Sequence, residues 1–109
     1  MRVSVSLPVE FTLEGEAAGR AGSALDLGAG GMRLVASYDL PAHAVLEIKF
    51  RLPGSERSIR ARGRAVASAF LGGEKKFHHG VAFTSMDPDD RTAVLEFVDA
   101  QDTRRQTRS

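Results

Sequence analysis

Residues 45–70, VLEIKFRLPGSERSIRARGRAVASAF, decide the fold class of this chain. Leu46, Ile48, Phe50 and Leu52 alternate with Glu47, Lys49 and Arg51, the period-two pattern of a strand with one face turned to a core. Pro53-Gly54-Ser55 then supplies turn chemistry. Beyond it Ile59, Ala61, Gly63 and Ala65 alternate with Arg60, Arg62 and Arg64, so the chain returns as the second strand of an antiparallel hairpin.

The same pattern continues on both sides of the hairpin. Toward the amino terminus, Val3, Val5, Leu7, Val9, Phe11 and Leu13 occupy every second position, and Pro8 marks an edge or a bend. A polar connection from Glu14 leads through Ala24-Leu25-Asp26-Leu27 into the turn Gly28-Ala29-Gly30-Gly31, and MRLVAS follows as a short strand. Asp39-Leu40-Pro41 turns the chain toward the hairpin. After it, Leu71-Gly72-Gly73-Glu74 leads into a strand on which Phe77, His79, Val81 and Phe83 share a face. Strands this closely spaced, with no crossover helices between them, imply an antiparallel barrel or sandwich. One helix is expected at the end, with Asp87 as N-cap, Pro88 at the first helical position, and Asp89 and Asp90 suited to the positive end of the dipole. Val94, Leu95, Phe97 and Val98 form its apolar stripe.

Bulk composition narrows the function. A chain of 109 residues is one domain with one core. The sequence has no cysteine, which excludes disulfides, thiolate metal sites and thiol catalysis. No apolar run is long enough for a membrane span and the amino terminus alternates like a strand, so no membrane insertion and a cytoplasmic location are expected. Arg104, Arg105 and Arg108 fall in 103–109, expected to be a basic, disordered tail after a domain of residues 1–102. Without these three, 12 of the 15 basic residues face 14 acidic ones, a balance that does not favour a nucleic-acid polymer as partner.

Catalytic and metal motifs do not assemble. Gly28-Ala29-Gly30-Gly31 lacks the last glycine of a dinucleotide fingerprint and is followed by a strand, and no Gly-Lys-Ser/Thr is present. His78 and His79 are adjacent and so point to opposite faces of a strand, with only His43 as a further imidazole. No nucleophile elbow or oxyanion loop is visible, so an enzyme is not expected. Arg60, Arg62 and Arg64 make a basic stripe. Its functional reading is a surface for phosphate or an acidic partner, and its plain reading is a solvated barrel exterior.

The segments RVSVSLPVEF (2–11), DLGAGGMRL (26–34), LEIKFRLP (46–53) and HHGVAF (78–83), with the closing helix, resemble the PilZ domain from Arg2 to Val98. That resemblance implies an all-β fold with a C-terminal helix, a six-stranded antiparallel β-barrel, and a family role as receptor for cyclic di-GMP. The family signature comprises R-x-x-x-R before the first strand and D/N-x-S-x-x-G at the turn. Arg2 aligns with the second arginine, while the first would fall four residues earlier, upstream of Met1. Asp26 and Gly31 match the turn motif, and Gly28 stands where it has serine.

In such a site arginine forks onto guanine edges or phosphate, a carboxylate accepts from guanine N–H groups, and glycine admits close backbone approach. Loss of one arginine and one hydroxyl implies binding weaker by about ten- to a thousandfold. Arg2 is expected to lie on an unanchored terminus, Gly31 to supply a backbone conformation other residues resist, and Asp26 to bond local amides. Arg60, Arg62 and Arg64 would supply the missing charge if their face borders the Asp26 turn. The reading that results is a non-enzymatic bacterial adaptor with a protein partner, regulating motility or a surface-associated process. It needs no cofactor and holds cyclic di-GMP weakly or not at all. The alternative is a working cyclic di-GMP receptor built on Arg2, Asp26 and Gly31.

Overall fold

The alternating segments become strands β1 (Arg2–Leu13), β2 (Arg20–Gly28), β3 (Gly31–Ala36), β4 (Val45–Arg51), β5 (Ser58–Leu71) and β6 (Lys76–Met86), followed by helix α1 (Pro88–Gln106). This is a computed structural model, and it describes residues 1–73 and 75–106, with the side chains of 104–106 left out. The strands close into an antiparallel barrel in the order β1-β2-β3-β6-β5-β4. Closure is made by the second half of β1, which pairs with β4 from Val9↔Phe50 to Leu13↔Leu46. Pro8 stands just before that ladder begins and just after a register shift in β1, a position where a missing N–H is tolerated.

The hairpin of residues 45–70 forms as its alternation implies. β4 and β5 run in register from Val45↔Arg64 to Arg51↔Ser58. Gly54 sits at φ +74° in the connecting turn, a conformation that resists side chains with a Cβ. Leu46, Ile48, Phe50, Ile59 and Ala65 point inward with Phe11, Leu34 and Val81 to fill the barrel.

β2 begins at Arg20, earlier than its polar sequence implies. Residues Arg20–Ser23 show no alternation of their own and are held by pairing with Phe11–Pro8 of β1. Farther along, Leu25 is the extra residue of a bulge: on β3 the register steps from Ala24↔Leu34 directly to Asp26↔Arg33. Ala24 and Leu27 are both buried, Leu25 is exposed, and Asp26 turns to the outer surface. An unbulged strand would have sent Asp26 inward with Ala24.

Helix α1 starts as expected. The Asp87 side chain accepts from the Asp89 N–H (2.9 Å) and its carbonyl from the Arg91 N–H (2.9 Å). Val94 and Val98 enter the core, with Ala93 and Phe97 packed beside them. Leu95, expected in the apolar stripe, is instead 42% exposed, because it lies a quarter-turn from Val94 and away from the barrel. Leu95→Ser should shift stability by no more than about 0.5 kcal/mol, read from the urea midpoint.

Asp90 does more than suit the dipole. Its Oδ1 accepts from Arg57 Nε (3.0 Å) and Nη2 (2.9 Å), and its Oδ2 from the Arg60 backbone N–H (3.2 Å), which ties α1 to the start of β5. The helix continues through Gln106, so the boundary expected after Asp102 falls inside α1. Arginine and glutamine are good helix formers, and nothing in TRRQ breaks the pattern. Residues 107–109 of the expected tail lie outside the described residues.

Candidate functional site

The turn between β2 and β3 joins Gly28 to its partner Gly31, and the Gly30 carbonyl accepts the Phe83 N–H of β6 (2.9 Å). None of the turn's glycines occupies the left-handed region; among glycines only Gly15 and Gly54 do. Gly31 is therefore not needed for a special φ, contrary to the expectation from sequence. Its reason is space: a Cβ there would overlap the Val81 carbonyl oxygen and stand 3.0 Å from Arg2 Nη2. Gly28 is confined in the same way, since a Cβ would overlap the Met1 carbonyl oxygen and come within 2.9 Å of Arg2 Cγ. The serine of the family signature has no room at this position as the first two residues lie.

Arg2 is anchored rather than loose, the second correction to the expectation. It opens β1, pairs with Gly28, and directs Nη1 to Asp26 Oδ1 at 3.1 Å. The same oxygen accepts the Arg33 N–H at 3.0 Å, so Asp26 does bond a local amide, and Arg33 Nε stands 3.8 Å from Oδ2. The bulge at Leu25 makes this cluster by turning Asp26 onto the face that Arg2 and Arg33 share. Each exposed ion pair contributes about 0–1 kcal/mol, so the cluster matters for where it holds two guanidinium groups more than for stability.

Arg33 went unnoticed in the sequence. Its signal was there, two residues after Gly31 and thus on the same outward face, but the bulge that brings Asp26 to that face has no mark in residue types.

Beside the cluster lies a groove of about 310 Å³ lined by Arg2, Arg33, Ala67, Leu71, His78 and Gly80, among others. A larger cleft of about 680 Å³ opens where β1 and β4 part, near Pro8, Phe50 and Pro53, away from these charges. His78 faces the groove, whereas its neighbour His79 is fully buried, with Nδ1 2.9 Å from Ser68 Oγ and Nε2 3.4 Å from the Tyr38 carbonyl. Among the described residues no group of three or more His, Cys, Asp or Glu stands close enough to hold a metal ion.

The basic stripe meets the turn at one residue only. Gly31 pairs with Ala82, and Ala82 pairs with Arg64, which puts Arg64 two strands from Gly31, or about 10 Å between Cα atoms. Arg62 is paired with Glu47 (Nη2–Oε1 2.8 Å) and faces Ser85 on β6, while Arg60 lies farther along toward α1. The stripe therefore runs away from Asp26, because β5 carries it along its own axis, and only Arg64 borders the site's row.

A closed six-stranded antiparallel barrel with a C-terminal helix, whose β2–β3 turn carries an acid and paired glycines beside an N-terminal arginine, defines a class of small β-barrel domain. The chain belongs to the PilZ domain family, whose pattern it matches over residues 1–100. No curated protein sequence matches it. Among solved structures it resembles MotI (DgrA), inhibitor of motility of Bacillus subtilis, with TM-score 0.82 and 18% identity over 94% of this chain and 50% of that one. The chain thus spans about half the length of MotI. It is also similar to the PilZ domain of CeSA from a cellulose-synthesizing bacterium, with TM-score 0.68 and 18% identity over 94% and 98% of the two chains. The PilZ domain of YcgR from Escherichia coli, solved with c-di-GMP, matches with TM-score 0.69 and 11% identity over 98% and 92%. No helix among the described residues is long and apolar enough to cross a membrane.

Proposed function

We propose that this chain is a non-enzymatic cytoplasmic signalling adaptor that acts through a protein partner in motility or surface-associated regulation, and that its Asp26 face meets cyclic di-GMP weakly. Family membership and the likeness to MotI and to the PilZ domain of YcgR support the signalling role. One observation supports the weak ligand contact: the Asp26 carboxylate is already engaged by Arg2, by the Arg33 N–H and at longer range by Arg33 Nε. A guanine seeking that carboxylate has to displace or share these donors. It also finds no hydroxyl at residue 28, where the packing of Met1 and Arg2 leaves no space for one.

A second reading, a working receptor, is favoured by the same cluster seen from its other side. Arg33 places a second guanidinium at the groove without needing an arginine ahead of Arg2. Calorimetric titration of cyclic di-GMP into the wild type, Arg2→Ala, Arg33→Ala and Asp26→Ala at physiological salt separates the two. The adaptor reading expects no saturable isotherm in the low-micromolar range for any of them. A low-micromolar wild-type isotherm abolished by Arg2→Ala or Arg33→Ala would install the receptor reading instead.

A further inference from the structure

The last six residues of β5, Val66-Ala67-Ser68-Ala69-Phe70-Leu71, contain no charge, proline or glycine, and all of them are exposed. Val66 and Phe70 are each 56% accessible and Leu71 is 41%. This end of the strand projects past the barrel wall. β4 accompanies β5 only as far as Val45↔Arg64, and the segment before β4 covers one residue more, through the bonds Ala65 N–H to Ala44 and His43 N–H to Ala65. From Ala67↔Gly80 to Leu71↔Lys76, β5 pairs with β6 alone, so among the described residues no strand takes up its other edge.

Backbone donors and acceptors on such an edge are a template for another strand, which is why natural edges carry lysine, proline or bulges. Here the nearer of the two register shifts between β5 and β6, between Ala65 and Ala67, lies at the base of the projection and leaves the residues beyond it unguarded.

We propose that this edge pairs antiparallel with the same edge of a second copy of the chain, joining two barrels through one continuous sheet. An antiparallel strand pair is self-complementary about a two-fold axis, so one patch serves as both halves of the interface. With Ala69 opposite Ala69 of the second copy, Ala67 faces Leu71 and Ser68 faces Phe70. Uncharged residues bring no like charges together in that register. Nor does the strip offer a charge by which an acidic or basic foreign segment would select it, whereas a second copy presents the identical apolar, uncharged strip.

Sedimentation of the full chain from low to high micromolar concentration tests this. The apparent mass should rise from 11.7 kDa toward twice that value. Ala67→Lys with Leu71→Lys sets lysines opposite lysines and should keep the chain monomeric, as should the matching pair of glutamates. A mixture of the lysine and glutamate variants should restore a dimer. The sequence has no cysteine, so Ala69→Cys provides an independent readout: mild oxidation should link two copies through that residue. A monomer at every concentration, a dimer that persists in the lysine variant while its thermal melt shows it folded, or an Ala69→Cys chain that fails to cross-link would each overturn the proposal.

Discussion

Phe11→Ala should lower stability by about 3–5 kcal/mol, the range for removing a fully enclosed aromatic ring. Phe11 has no exposed surface, and its ring meets Tyr38 edge-on at 6.2 Å between centroids. It stands where β1 is flanked by both neighbours, opposite Arg20 of β2 and Ile48 of β4. Strands paired on both sides cannot collapse into the void, so the cavity term stays near its full value. With a urea slope of about 2 kcal/mol per molar, the midpoint should fall by about 2 M. Phe50→Ala should cost less although Phe50 is also buried, because that ring borders the cleft at the β1–β4 seam and water can occupy part of the space. A Phe11→Ala midpoint equal to that of the exposed control Lys49→Ala would show that the barrel interior is not the core described here.

The second large effect belongs to a polar group. Asp90→Ala should cost about 2–3 kcal/mol, since it removes the acceptor of three hydrogen bonds at a mostly buried position. Arg57 is the exposed partner, with a side chain 46% accessible, so Arg57→Ala loses only about 1 kcal/mol while water serves the remaining carboxylate. What separates the two is the Arg60 N–H, which loses its acceptor only when Asp90 is gone. Asp90→Asn keeps an acceptor for one of these donors and should fall between them. Denaturant midpoints measured side by side would reveal the order, and equal losses for Asp90→Ala and Arg57→Ala would mean that the backbone bond contributes nothing.

The strands were legible because a half-buried strand writes its burial into alternate residues, and β1, β4 and the first half of β5 do so almost without exception. The helix start was legible for a different reason. Capping is local, so Asp87 and Pro88 announce it without reference to the rest of the chain. β2 was half hidden, as its first residues are held in the sheet by β1 and carry no periodic signal of their own.

By itself, then, the sequence determined the antiparallel strands, their inward faces and the turn motif, all properties of near neighbours along the chain, and left barrel and sandwich open until the family resemblance chose between them. Tertiary structure alone decided the site. The bulge at Leu25 aims Asp26 outward, and pairing across β1, β2 and β3 brings Arg2 and Arg33 to it from 24 and 7 residues away. It also decided that Gly28 and Gly31 are glycines for want of room, since the atoms that would collide with a Cβ belong to Met1 and Val81, which only the pairing of β1 with β2 and of β3 with β6 brings there.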